Sequence, residues 1–351
     1  MNKRSCTDIS NNVNLPKDTR NHCNSNMEWW YYYAFLKGDN GRNYATMASF
    51  FSIGEFDFFK GHYLIFSLID LKKNTHISYS FTDPELIINL LLRFPCDKKM
   101  WKQFMNLLRC KLPYPHKIMK DAYIKHNPMK LSYGNSSFDF LDETNNYFNV
   151  NIIEDDNIID LLFFPNKPIA LIGEDGKPNE LFYYSFTRNT VEGYIKDKET
   201  KEIVKVKGEG WFDHQWGYTL DMPNWNWFGL QLDDGRELLI QTSKSFSSMA
   251  NCIDINGDLK FTQNVILQPT RYWNSPTTST VYPVEWNIIL PDFNMNINVV
   301  PDFEEQEMLL LEPLKSIWEG TCLVSIKEKL NNHEIKSISG KGFMELVGYT
   351  L

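Results

Sequence analysis

Apolar and polar positions alternate in short runs along most of the chain, and turn residues break the runs. From Glu28, EWWYYYAFLKGDNGRNYATMASFF joins two apolar stretches through GDNG, which predicts a β-hairpin. HYLIFSLIDL, HISYSFT, MKLSYG, FDFLDE, YFNVNII and IIDLLFF follow as further strands, at a spacing of roughly 8–12 residues. LFYYSFTRN, VEGYIKD and EIVKVKGEGWFDHQWG continue the pattern, and WNWFGLQLDDGRELLIQTSKS predicts a second hairpin with DDG at its turn. TRYWNS, EWNIILP, MNINVVP, EGTCLVSIKEKL and KGFMELVGYTL carry strand patterns to the C-terminus. Many short, evenly spaced strands imply an all-β sandwich or barrel.

One segment breaks the rhythm. Residues 83–115 read DPELIINLLLRFPCDKKMWKQFMNLLRCKLPYP. Asp83 is placed to cap a helix with Pro84 in its first turn, and Pro95 interrupts. Trp101, Phe104, Met105 and Leu108 then fall at i, i+3, i+4 and i+7, one apolar helical face. Two short helices inserted among strands are expected, packed on the outside of the sheet or covering an opening. Residues 1–25 are polar and Asn-rich and read as a loose arm. The boundary between two domains, 26–217 and 218–351, is placed just after DHQWG.

At 351 residues the chain suits two domains, and an aromatic content of 15% favours β-structure with flat apolar walls. The net charge of −8 and the lack of a basic stripe argue against a nucleic-acid partner. No run of about 18 apolar residues is present, and the first eighteen residues lack the apolar core of a signal peptide. A cytoplasmic location is the expectation. The six cysteines make no CxxC, so free thiols are expected.

Phosphate-loop, dinucleotide and GxSxG motifs are absent, and no histidine pair has the spacing of a local metal site. Neither cofactor nor metal is expected. The segment WFDHQWG carries the candidate chemistry. In an extended strand Phe212, His214 and Trp216 share one face, while Trp211, Asp213 and Gln215 share the other. Direct contact between Asp213 and His214 therefore needs a bulge. A proton donor set among indoles can protonate a carbon–carbon double bond, and the faces of Trp or Tyr can stabilise the resulting cation by about 0.5–2 kcal/mol per contact. Burial lowers the pKa of histidine, so a charged His214 requires a nearby carboxylate. A buried histidine bonded to a carbonyl is the other reading of the same residues.

EWWYYYAF alternates as well: Glu28, Trp30, Tyr32 and Ala34 form one set, and Trp29, Tyr31, Tyr33 and Phe35 the other. Aromatics on both faces mean that both faces are covered. In NWNWFGLQL, Trp225 and Trp227 share a face with Gly229, whose missing side chain leaves room for a ligand or a neighbouring backbone.

These stretches, together with YYSFTRNTVEGYIKD at 183–197, WEGTCLVSI at 318–326 and GKGFMELVGY at 340–349, occur in an order that resembles the carotenoid 1,2-hydratase (hydroxyneurosporene synthase) and AttH-like superfamily. The resemblance runs from about residue 27 to the C-terminus. It implies two tandem lipocalin-like, calycin-type antiparallel β-barrel domains, the first carrying the helical insertion. Members include hydratases of carotenoid ends and fungal pericyclases that close linear polyenes by intramolecular Diels–Alder reaction. By this resemblance Asp213, His214 and Trp216 are the candidate catalytic set; the aromatic runs themselves supply Trp30, Tyr32, Tyr184, Trp225 and Trp227 as candidate substrate-binding walls.

The favoured expectation is a cofactor-independent cyclase acting on a long apolar polyene or isoprenoid, by [4+2] closure in a pocket near the domain junction. An acid-catalysed hydratase of an isoprenoid or carotenoid double bond is the first alternative. A non-catalytic carrier of an apolar ligand is the second, and an attachment-related surface protein the third. The insertion could dock transiently on a membrane. Oligomeric state cannot be read from these residues.

Overall fold

The computed structural model describes residues 12–350 except 23–24, 127, 143, 145, 156, 174, 178–180, 197–200, 220–223, 244–246 and 331–333. The chain divides into two compact units. One is Met1–Lys167 with Glu180–Thr219, and the other is Pro168–Asn179 with Leu220–Leu351.

The first unit is a curled antiparallel sheet. Its strands are β1 (Met27–Gly38), β2 (Asn43–Ile53), β3 (Gly61–Asp70), β4 (Thr75–Thr82), β5 (His116–Ile118), β6 (Ala122–His126), β7 (Met129–Tyr133), β8 (Ser136–Asp142), β9 (Tyr147–Glu154), β10 (Asn157–Pro165), β11 (Phe182–Lys196) and β12 (Ile203–Gly217). Their order is β5-β4-β3-β2-β1-β12-β11-β10-β9-β8-β7-β6, with only β4 and β5 running parallel. The predicted GDNG turn joins β1 and β2, closed by Gly38 N donating to Arg42 O at 2.8 Å.

The curl brings strands far apart in that order face to face. Phe50 of β2 meets Tyr133 of β7 with ring centroids 5.4 Å apart, and Phe138 of β8 stacks on Phe212 of β12 at 5.4 Å. The concave face is therefore an aromatic interior. Both faces of β1 are covered, as its two aromatic sets require: Trp30, Tyr32, Tyr33 and Ala34 are fully buried.

Three expectations need correction. LFYYSFTRN and VEGYIKD form one strand, β11, with a register shift between Phe186 and Asn189. Asn189 Nδ2 donates to Phe186 O and Gly210 O there, satisfying backbone that the irregularity would leave unpaired. The described part of residues 1–25 is packed rather than loose: Asp18, Thr19, His22 and Ser25 are buried. Polar composition misled here because these side chains have buried partners.

The third correction concerns the insertion. Helices α1 (Pro84–Arg93) and α2 (Lys98–Leu108) form where Asp83, Pro84 and Pro95 place them, and Asp83 caps α1 by accepting from Leu86 N. However, Trp101, Met105 and Leu108 are exposed, and α2 buries Met100, Gln103 and Leu107 instead. Helix α1 lies so close to β3 that a Cβ on Gly61 would stand 2.2 Å from Leu86 Cα.

In the second unit, strand Trp225–Leu232 pairs with Glu237–Ser243 through the DDG hairpin and with Ile335–Leu346 on its other side. Phe228, Leu230 and Leu232 join Trp286, Trp318 and Met344 in an apolar core. Alternation puts Trp225, Trp227 and Gly229 on the opposite face. The space over Gly229 is taken by the Trp227 ring, since a Cβ there would stand 2.2 Å from its Cη2.

Cys96 and Cys110 are exposed, Cys252 and Cys322 are buried, and all four are free; Cys6 and Cys23 lie outside the described residues. Among the described residues no helix is long and apolar enough to cross a membrane.

Candidate active site

Strand register builds the site. On the concave face β12 sits between β1 and β11, with His214 opposite Trp30 on one side and Tyr184 on the other. One layer nearer the sheet's end, Trp216 lies between Glu28 and Phe182. The candidate residues Trp30, Tyr184, His214 and Trp216 therefore converge. Tyr32 is one layer deeper, opposite Phe212, with its ring against Phe163 at 5.2 Å.

The His214 ring is held among other rings. Trp30 stacks on it at 4.7 Å, Trp216 leans on it at 4.7 Å, and Tyr184 meets it edge-on at 5.3 Å. Its Nε2 lies 2.9 Å from Glu28 Oε1, and its Nδ1 lies 3.3 Å from Tyr184 Oη. With Nε2–H donated to the carboxylate, Nδ1 is the acceptor for the tyrosine.

Glu28 also holds a second imidazole. His22 Nδ1 is 2.8 Å from the same Oε1, and His22 N donates to Oε2 at 2.9 Å. The His22 ring lies flat on Trp216, with centroids 4.0 Å apart and planes 2° apart. Asp18 Oδ1 approaches His22 Nε2 at 3.4 Å. Glu28, His214 and His22 are all enclosed.

Burial opposes every charge in this network. At Glu28 burial is outweighed by the field of His22 and by hydrogen bonds from both imidazoles, which hold the carboxyl down to about 2. At His22 burial pushes down, but Glu28 and Asp18 together raise it. At His214 burial prevails over the Glu28 hydrogen bond, and its pKa falls. His22 is thus the more readily protonated of the two imidazoles, and Glu28 is the carboxylate that a histidine in this setting requires. Burial also raises Tyr184 well above the usual phenol range, which keeps it a neutral donor.

Asp213 takes no part in this network. It stands on the opposite face, accepting from Tyr183 Oη at 2.7 Å, from Trp211 Nε1 at 2.7 Å and from Ser185 Oγ. Burial pushes it up to about 7 against the pull of these three donors. No bulge at Gly208, Gly210 or Gly217 brings it round, because β12 pairs with β1 in unbroken register from Val206 to Gly217. Trp225 and Trp227 belong to the second unit; Trp225 Nε1 donates to Glu345 Oε2 at 2.8 Å.

Sequence reasoning missed Glu28 and His22 as functional residues. Glu28 had a signal, being the one charge in the aromatic set that it shares with Trp30 and Tyr32. His22 had none, since it lies in a polar run. Among the described residues, His22, Glu28 and His214 are the group whose ligand atoms are close enough to hold a cation, all within 4.8 Å of one another.

A cavity of about 610 Å³ opens at this end of the unit. Its lining includes Asn21, which precedes His22, and Ser52, the register partner of Glu28 on β2. The enclosed carboxylate–imidazole network thus lies in a β-unit with an aromatic interior, and sequence and register neighbours of its members line the cavity.

The chain belongs to the AttH-like family, whose profile matches residues 114–349. The AttH-type protein NE1406 of Nitrosomonas europaea superposes with a TM-score of 0.72 at 21% identity, over 98% of this chain and 99% of that one. Kievitone hydratase of Nectria haematococca superposes with a TM-score of 0.71 at 17% identity, over 97% and 94% of the two chains. CghA superposes more loosely, with a TM-score of 0.49 at 11% identity, over 93% and 89%. At these identities the first two structures establish the lipocalin-like fold. No curated protein matches the sequence.

Proposed function

We propose that this protein adds water to, or removes it from, a carbon–carbon double bond in a largely apolar isoprenoid or polyene. The supporting observation is the buried His22–Glu28–His214 network set against Trp30 and Trp216. Holding a charged pair out of water costs several kcal/mol per ion before its partners repay it, so a pocket that worked by shape alone would not need it. Pericyclic [4+2] closure, the favoured expectation from sequence, makes no such demand.

In this reading the proton comes from the His22–Glu28–His214 network, of which His22 is the more readily protonated member. The indole faces of Trp30 and Trp216 stabilise the developing cation, and water completes the addition. Similarity to a protein named as a hydratase agrees with this chemistry.

The test is incubation of the purified protein with a panel of isoprenoid alcohols and polyenes in deuterated water. The expected product gains one water and one carbon-bound deuterium, and Glu28→Gln binds the same alkene without converting it. A cyclised product free of deuterium would transfer the reading to pericyclic closure. A ligand bound and released unchanged would make the protein a carrier.

A further inference from the structure

We propose that His62, oriented by Asp83, is a catalytic base that takes the proton from the adding water; the proposal rests on the hydratase reading above. The starting observation is a row of paired positions across the concave face. His62 of β3 is the register partner of Ser52 of β2, and Ser52 is the partner of Glu28 of β1. Directly paired residues point to the same side of a sheet. His62 and Glu28 thus occupy one layer of one face, two strand spacings or about 10 Å apart. Ser52, which stands between them, lines the cavity together with His62, so the double bond and its water would lie over Ser52.

The two acid–base groups differ in their access to solvent. The Glu28 network is dry, whereas the His62 side chain is 14% exposed and lines the 610 Å³ cavity. His62 Nδ1 lies 2.6 Å from Asp83 Oδ2. Asp83 is fixed in turn by the His62 N–H, 3.0 Å from both of its oxygens, and by Leu86 N at 2.9 Å where it caps α1. Tyr133 meets the His62 ring edge-on at 5.1 Å. With Nδ1–H committed to Asp83, Nε2 carries the free lone pair, and among the described residues it has no hydrogen-bond partner. Lys60, on the same cavity wall, is engaged with His22 O, Ser25 O and Asp57, so it does not compete for the incoming water.

A purely mechanical role, clamping α1 to β3, is already served by bonds that do not involve the His62 ring. Asp83 N donates to His62 O at 3.2 Å, and His62 N donates to the Asp83 carboxylate. The side-chain bond adds ring orientation, which is what a base needs.

The step balances. The alkene π pair takes the surplus proton of the His22–Glu28–His214 network, forming a C–H bond. A lone pair of water forms the C–O bond to the other carbon. The surplus proton on that oxygen passes to His62 Nε2 and leaves through the cavity, while the network regains one proton from solvent. The sum is addition of one water.

Because carbon protonation and water addition use different groups, they can be separated. The experiment follows deuterium entering recovered alkene and the yield of alcohol, in deuterated water, with citronellol or whichever panel alkene the wild type converts. His62→Ala is expected to lower alcohol formation about 10²–10⁴-fold while leaving deuteration of the alkene within a few-fold. Added imidazole, small enough for the cavity, is expected to restore alcohol formation. Asp83→Asn keeps a helix-capping side chain but weakens the orienting bond, and a loss of about tenfold is expected. Glu28→Gln is expected to lose both signals.

Alcohol formation by His62→Ala within about threefold of wild type would remove the base and leave the hydratase reading intact. So would a loss that imidazole does not restore and that deuteration shares equally. If the wild type deuterates and hydrates nothing in the panel, both proposals fall together.

Discussion

Glu28 is one carboxylate shared by two imidazoles, and the three groups are unequal. His22 has its pKa raised and His214 has it lowered, so the ion pair is His22–Glu28 and His214 joins as a neutral donor. This assignment orders the stability of two variants. Glu28→Gln strands a buried imidazolium, which costs about 3–5 kcal/mol. His214→Gln removes neutral hydrogen bonds and the ring contacts with Trp30, Trp216 and Tyr184 but leaves no buried charge unpaired, at about 1–2 kcal/mol. Urea unfolding near neutral pH measures both. Equal losses, or a larger loss for His214→Gln, would place the charge on His214 instead. The same inequality explains why WFDHQWG was half legible. Alternation correctly placed His214 with Trp216 and apart from Asp213, but no local pattern could name the partner, since Glu28 lies 186 positions away.

Helix α1 and strand β3 meet at Gly61, and this contact positions Asp83 and therefore the His62 ring. Because a Cβ at Gly61 would lie 2.2 Å from Leu86 Cα, a backbone atom, Gly61→Ala cannot be relieved by a rotamer change. Overpacking of this kind costs about 1–3 kcal/mol. The expected result is a lower urea midpoint together with weaker hydration, because α1 must retreat from the cavity wall. A variant as stable and active as wild type would show that the contact yields without cost. The capping residues of this insertion were readable because Asp83 and Pro84 act on their immediate neighbours. The buried face of α2 was not. Trp101, Phe104, Met105 and Leu108 define an apolar stripe, yet which stripe is covered depends on where α1 lies, and α2 turns Met100, Gln103 and Leu107 inward.

At the scale of the molecule, alternation and turn residues were enough to read an all-β chain, because each strand and hairpin is a local event. Register was beyond reach, and register is what gathers Trp30, Tyr184, His214 and Glu28 into one site. The same burial that makes the site sets how the whole protein responds to acid. His76, whose Nε2 is enclosed without a partner among the described residues, and His116, bonded to Ser80 Oγ at 2.7 Å, are both held down to about 4 by burial, against 6.5 in an unfolded chain. Between those values the unfolded chain binds protons that the folded one refuses, so their contribution is complete above about 6.5 and is lost as pH falls toward 4. His126 and His214, also lowered, act in the same sense, and Glu28 extends it toward pH 2. Asp213, raised to about 7 by burial, acts oppositely, since its contribution is fully present below 3.8 and lost as pH rises through 7. His22, raised, likewise favours the folded state toward low pH within its own window. The lowered histidines outnumber the single raised carboxyl, so between about pH 4 and 6.5 unfolding takes up protons and stability slopes upward with pH, by about 1.4 kcal/mol per pH unit for each net proton. Urea unfolding free energies measured between about pH 4 and pH 6.5 should rise with that slope, and His76→Gln with His116→Gln should flatten it or reverse its sign. A wild-type stability that is level or higher on acidification would mean that these buried rings already carry their protons in the folded protein.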